Sequence, residues 1–176
     1  GYQALLVDEA GLFVESEAED LMQVMKERAY YGNVVLYTIS YNDMGCVEKA
    51  NQLYVDIYGS MDSSGCLFLI DMDSRQLVLR NFGSKKGDLR YAISGSKADS
   101  IVDNSYKLAS NGDYSGCAGK VFKQELTLLG GGKIAQPMRV AGNAFLALII
   151  ALLISYFIVR GFSSTSKASD KEVLRS

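Results

Sequence analysis

The chain has 176 residues, 48% of them hydrophobic, with 20 acidic and 18 basic side chains, a formal charge of −2 and no histidine. The missing histidine excludes His-based triads, His proton shuttles and most zinc sites. Cys46, Cys66 and Cys117 stand far apart in no metal-binding spacing, and three thiols cannot form a closed disulfide set.

In chain order, the segment Val7-Asp8-Glu9-Ala10-Gly11 leads into a first helix, and the pattern leaves open whether a strand precedes it. Ser16-Glu17-Ala18-Glu19 reads as a capping box, with Ala18, Leu21, Met22, Met25 and Ala29 following at helical spacing up to Tyr31-Gly32. Val34 to Ser40 is apolar and β-branched at nearly every position, the mark of a strand covered on both faces. Val47, Ala50, Leu53, Tyr54 and Ile57 trace a second amphipathic helix, stopped by Gly59. Leu67 to Met72 is a second buried strand. The polar turn at Asp73 to Arg75 joins it to an alternating strand, Gln76 to Phe82, as a hairpin.

After Gly83-Ser84-Lys85-Lys86-Gly87, read as a solvated turn and not a P-loop, helical periodicity returns. Ala98, Ile101, Val102, Tyr106 and Ala109 share one face, Asp113 caps a last helix, and Gly130-Gly131-Gly132 ends it. The class is therefore α/β, a small mixed sheet sandwiched between helices. Cys66 and Cys117 read as small core residues, and Cys46 as the thiol to suspect of exposure.

Residues 1–130 hold 18 of the 20 acids and 12 of the 18 bases, a net of −6, whereas residues 131–176 carry a net of +4. An acidic head argues against nucleic acid as a partner. Ala141 to Val159 is an uncharged apolar run between Arg139 and Arg160. As a helix it would rise roughly 28 Å, close to the hydrocarbon thickness of a bilayer. The domain plan is an extracytoplasmic α/β head over 1–130, a Gly-rich linker over 131–140, a transmembrane helix over 141–160, and a Ser/Lys-rich tail over 161–176 that reads as disordered. The excess of basic residues after the span puts the tail in the cytoplasm, so the chain is expected to be a single-pass membrane protein with its head outside.

Four places resemble the TPM domain, the family of thylakoid-lumen, photosystem II repair and receptor-auxiliary proteins. They are Val7 to Leu12; Val34 to Ser40 with Ala50-Asn51 after it; Gly65 to Ile70 with Arg75 after it; and Asn111-Gly112-Asp113-Tyr114. The likeness spans residues 4–125 and implies the same α–β sandwich. It also implies that divalent cations are bound by some members, and that phosphatase activity has been proposed for plant ones. Metal-binding members have an acid before the Gly-led strand and a Thr-Asp pair before the third helix. Here Ser63 takes the first place, with Asp62 displaced by one, and Ser94-Gly95 takes the second.

Hairpin topology brings the loop at 60–64 beside the loop at 83–87, so Asp62, Asp88 and Asp99 form a candidate edge for Ca2+ or Mg2+, hard ions that suit loop carboxylates. The acid missing relative to the family pattern implies an eroded site. Two functions compete. One is a non-enzymatic module, held at the lipid bilayer, that binds a protein partner in the envelope. The other is a divalent-metal-dependent phosphatase or hydrolase in which Asp62, Asp88 and Asp99 hold a cation that activates water.

Overall fold

Two segments of this chain are apolar on both faces and have to be covered from above and below. The computed structural model describes residues 1–136 and 148–162, and sets these segments side by side as β2 (Asn33–Ile39) and β3 (Gly65–Asp71). They are the centre of a four-stranded sheet of order β1-β2-β3-β4, with β1 at Ala4–Asp8 and β4 at Gln76–Phe82. β1, β2 and β3 run parallel and β4 is antiparallel to β3, so the sheet is mixed and the predicted hairpin is present. The helices are α1 (Glu15–Arg28), α2 (Cys46–Tyr58), α3 (Leu89–Ala92), α4 (Gly95–Ser110) and α5 (Tyr114–Leu129).

Alternation along the strands sorts the core into two layers. Val34, Leu36, Cys66, Phe68, Ile70 and Leu79 face α1, α4 and α5. Val35, Ile39, Leu67, Leu69 and Phe82 face α2, where Tyr54 stacks on Phe82 with ring centres 3.8 Å apart. Each such side chain taken fully out of water contributes about 1.5–3 kcal/mol, which is why both faces are roofed. The chain steps the same way across the sheet at β1–α1–β2 and at β2–α2–β3, yet α1 and α2 lie on opposite faces. The two crossovers are therefore opposite in hand, and one departs from the right-handed rule.

Local chemistry sets most of the boundaries. Gly59 ends α2 in the left-handed region at φ 77°, where a side chain would be strained. Asp113 caps α5 by accepting from Gly116 N at 2.9 Å. The capping box at Ser16 is a correction: α1 begins at Glu15 with Val14 as its cap and no side-chain cap bond, so Ser16 lies inside the first turn. The core face of α1 is Leu21, Met25 and Arg28, with Ala29 packed against it at the helix's end, and that of α4 takes Ser105 while Tyr106 stays exposed. Cys46 is buried, against the expectation of exposure.

The compact unit runs from Gly1 to Ala135. Ile134 packs on the core and Asn104 Nδ2 donates to Ala135 O at 2.6 Å, inside the segment read as linker. The second unit, Gln136–Ser176, holds a helix over 148–162 whose apolar side chains, among them Leu152, Ile154, Phe157 and Val159, are exposed. Fifteen helical residues rise about 22 Å, and among the described residues no helix is long and apolar enough to cross a membrane. Residues 141–147 of the predicted transmembrane helix, and 163–176 of the predicted tail, lie outside the described residues.

Candidate functional site

In open α/β sheets ligands bind beyond the carboxyl ends of the parallel strands, so that edge is the place to look. Here it carries two aspartates. Asp8 ends β1 opposite Thr38 of β2. Its Oδ1 accepts from the Thr38 hydroxyl and from Leu12 N (2.9 Å), and its Oδ2 accepts from Phe13 N at 3.0 Å. Asp71 ends β3, is 1% exposed, and borders a small cavity beside the β3–β4 turn. Its Oδ1 accepts from Asp73 N (2.9 Å) and Ser74 N (3.2 Å), and its Oδ2 from Asn42 Nδ2 (2.8 Å), the Ser74 hydroxyl (2.7 Å) and the Cys46 thiol (3.2 Å).

Burial opposes charge on both carboxyls, but the hydrogen bonds win. Asp71 is held down to about 2 by Ser74, Asn42 and Cys46, and Asp8 is lowered by Thr38 and the amides of Leu12, Phe13 and Gly11. Cys46 goes the other way. Burial first, and Asp71 and Glu48 after it, push its thiol up to about 11 against the opposing bond to Ser74. Both aspartates are ionised and hold loops, Asp71 with both oxygens saturated and Asp8 with one bond on Oδ2 at a partly exposed position, and the thiol stays protonated. None of the three is a free base or nucleophile.

Beside the β3–β4 turn lies a cavity of about 120 Å³ lined in part by Met72, Arg75, Leu77, Tyr106, Ser110 and Tyr114. Arg75 closes the turn with φ at 57°, a left-handed backbone that a residue with a long side chain rarely adopts. Its Nη1 lies 3.5 Å from the Tyr114 hydroxyl.

The predicted acids sit elsewhere. The loops at 60–64 and 83–87 do meet, with Gly83 N donating to Met61 O at 3.0 Å. Asp88 spends its Oδ2 on Ser84 N (2.9 Å) and Lys85 N (2.7 Å), Asp62 is exposed, and Asp99 lines a cleft along β4 together with Asp103. Among the described residues no three His, Cys, Asp or Glu side chains are grouped as a metal ion would require.

Sequence reading also passed over a charge pair in the core. Arg28 Nε donates to Glu125 Oε2, both side chains are 0% exposed, and Arg28 Nη1 and Nη2 and Glu125 Oε1 have no hydrogen-bond partner. Burial, and then the Glu125 carboxylate, push the neighbouring Cys66 thiol well above its ordinary value. Asn81, directly across the ladder from Cys66, buries its amide atoms unpaired. The signals existed: Arg28 follows Leu21 and Met25 on one helix face, Glu125 follows Val121 and Phe122 on another, and each aspartate ends an apolar run.

No family model matches the sequence, and no curated protein matches it. Solved structures do. The N-terminal domain of a protein from P. gingivalis is 16% identical with a TM-score of 0.61, over 73% of this chain and 82% of that one. The BA42 protein from the psychrophilic bacterium Bizionia argentinensis is 8% identical with a TM-score of 0.56, over 66% and 81%. The N-terminal domain of the cg2496 protein from Corynebacterium glutamicum is 13% identical with a TM-score of 0.52, over 70% and 76%. The chain thus shares the α/β fold of these domains, and at such identities the likeness speaks for the fold alone.

Proposed function

We propose that this chain is a TPM-type domain, anchored by one membrane helix over 141–160 with its head outside the cytoplasm, that binds a partner and does not catalyse a reaction. The observation that carries this reading is the state of the sheet's carboxyl edge. Asp8 and Asp71 are engaged in holding loops, and Cys46 is held as a thiol, so the place where such folds do chemistry offers a scaffold. The uncharged run Ala141 to Val159 and the excess of bases after it support the anchor and its orientation.

Two measurements test it. Protease added to intact cells should digest the head and spare the tail, and digestion only after lysis would overturn the orientation. The purified full chain should not turn over phosphomonoesters with Mg2+ or Ca2+ present. Turnover abolished by Asp71→Asn, or by Asp62→Asn with Asp99→Asn, would replace the binding module with a hydrolase.

A further inference from the structure

β4 is an edge strand, and its outer side has no strand partner among the described residues. Along it runs a cleft of about 430 Å³ whose walls include the four consecutive residues Leu77 to Arg80. Successive side chains of a strand point to opposite faces, so four in a row line one cavity only from the strand's edge. No residue of β3 lines it. Val47 of α2 contributes from one face of the sheet, and Ala98, Asp99, Val102 and Asp103 of α4 contribute from the other. The cleft therefore opens between two helices that overhang the edge on opposite sides, which is the cross-section an added strand fills.

The edge lacks the usual guards against such addition. It is seven residues long, contains no proline, and pairs with β3 without a bulge from Gly65↔Phe82 to Asp71↔Gln76. Its one charged residue, Arg80, is turned onto α2, where Nε donates to Asn51 Oδ1 at 3.2 Å. Asp99 and Asp103 are exposed one helical turn apart and make the α4 wall negative.

We propose that the β4 edge takes up an extended cationic segment of a partner protein as a fifth strand. The backbone of that segment would pair with β4, with alternate apolar side chains toward Val47 and Lys or Arg toward Asp99 and Asp103. A second copy of this chain fits worse. Two-fold pairing through β4 would bring both α4 helices onto the same face of one continuous sheet, acid wall against acid wall. The net charge of −6 on residues 1–130 also favours a basic partner over a like copy. This inference rests on the head being a binding module and names the chemistry of what it binds.

The test uses the full chain, isotopically labelled in detergent micelles, titrated with an acetylated and amidated hexapeptide of alternating Val and Lys. Saturable amide shifts are expected within Gln76–Phe82 and the first half of α4, with slowed hydrogen exchange at alternate β4 amides. The doubly substituted variant Asp99→Asn, Asp103→Asn replaces only exposed acids, so its fold survives, and it should bind roughly five-fold more weakly. A Val/Glu hexapeptide should not bind. Shifts centred elsewhere, none at millimolar peptide, equal binding of the Val/Glu peptide, or self-association through β4 without peptide would each overturn the proposal. None of these outcomes involves turnover, so they leave the non-catalytic reading standing. Phosphoester turnover would sink that reading whatever the peptide does.

Discussion

Cys46 opens α2, yet its thiol donates to the carboxylate of Asp71 at 3.2 Å. A thiol at a helix N-terminus is usually drawn toward thiolate. Burial and the adjacent negative charge reverse that and hold it up to about 11. Cys66 and Cys117 are buried as well, and burial raises both. At pH 8 the native protein is therefore expected to react with a disulfide reagent at least about ten-fold more slowly than the unfolded chain. Asp71→Asn should speed the reaction at Cys46 alone. One rapidly modified thiol in the native wild-type protein would refute this account.

The same aspartates make stability depend on acid. A carboxyl whose pKa is lower when folded adds stability that is present above its unfolded value and is lost as pH falls through its folded value. For Asp71 that window runs from the ordinary 3.8 down to about 2, and Asp8 adds to the loss in the same direction. Urea midpoints should be flat near neutrality and fall between about pH 4 and pH 2. Asp71→Asn should remove about 1–2 kcal/mol of that dependence after solvent screening. A variant with the acid profile of the wild type would show that the carboxylate is not what titrates.

Much of this fold can be read along the chain, because apolar runs such as Val34 to Ile39 state their own burial and Gly59 and Asp113 state their own boundaries. The meeting of the 60–64 and 83–87 loops follows from hairpin topology and is present at Gly83 and Met61. The direction in which a side chain turns once it arrives cannot be read this way. Asp88 reaches the predicted edge but bends back onto the amides of Ser84 and Lys85. Asp8 finds Thr38 thirty positions away, and Asp71 finds Asn42 and Cys46 across another crossover. Ser16 carries the capping pattern, but the clamp of Asp8 on Leu12 and Phe13 leads into a helix that starts at Glu15. Such pairings are set by strand register, which periodicity does not encode.

Two positions test backbone demands directly. Arg75 sits at φ 57° in the turn after β3, where glycine is unstrained. Arg75→Gly is expected to raise stability by about 0.5–1 kcal/mol, and Arg75→Val to lower it by about 1 kcal/mol or more. Gly65 opens β3 where a Cβ would collide with the Tyr54 hydroxyl and with the backbone oxygen of Asn33. Gly65→Ala should therefore cost about 1–3 kcal/mol, as overpacking does. Urea unfolding followed by circular dichroism reads all three, and a neutral Gly65→Ala would mean that β3 has room to shift.

The pair Arg28–Glu125 joins residues 97 positions apart inside an apolar layer, with three of its polar atoms unpaired. A buried pair in that condition has lost the hydration of both ions and recovered only part of it through one contact. Removing one partner strands the other charge, so Arg28→Met and Glu125→Leu are each expected to cost about 3–5 kcal/mol. Replacing both at once leaves no charge to strand and fills the layer with apolar volume against Phe122 and Cys66. The double variant should recover most of the loss, and can exceed the wild type by about 1–4 kcal/mol. A double-mutant cycle in urea measures the coupling. Additive losses would show that the two residues act separately, through packing, and that their contact contributes little.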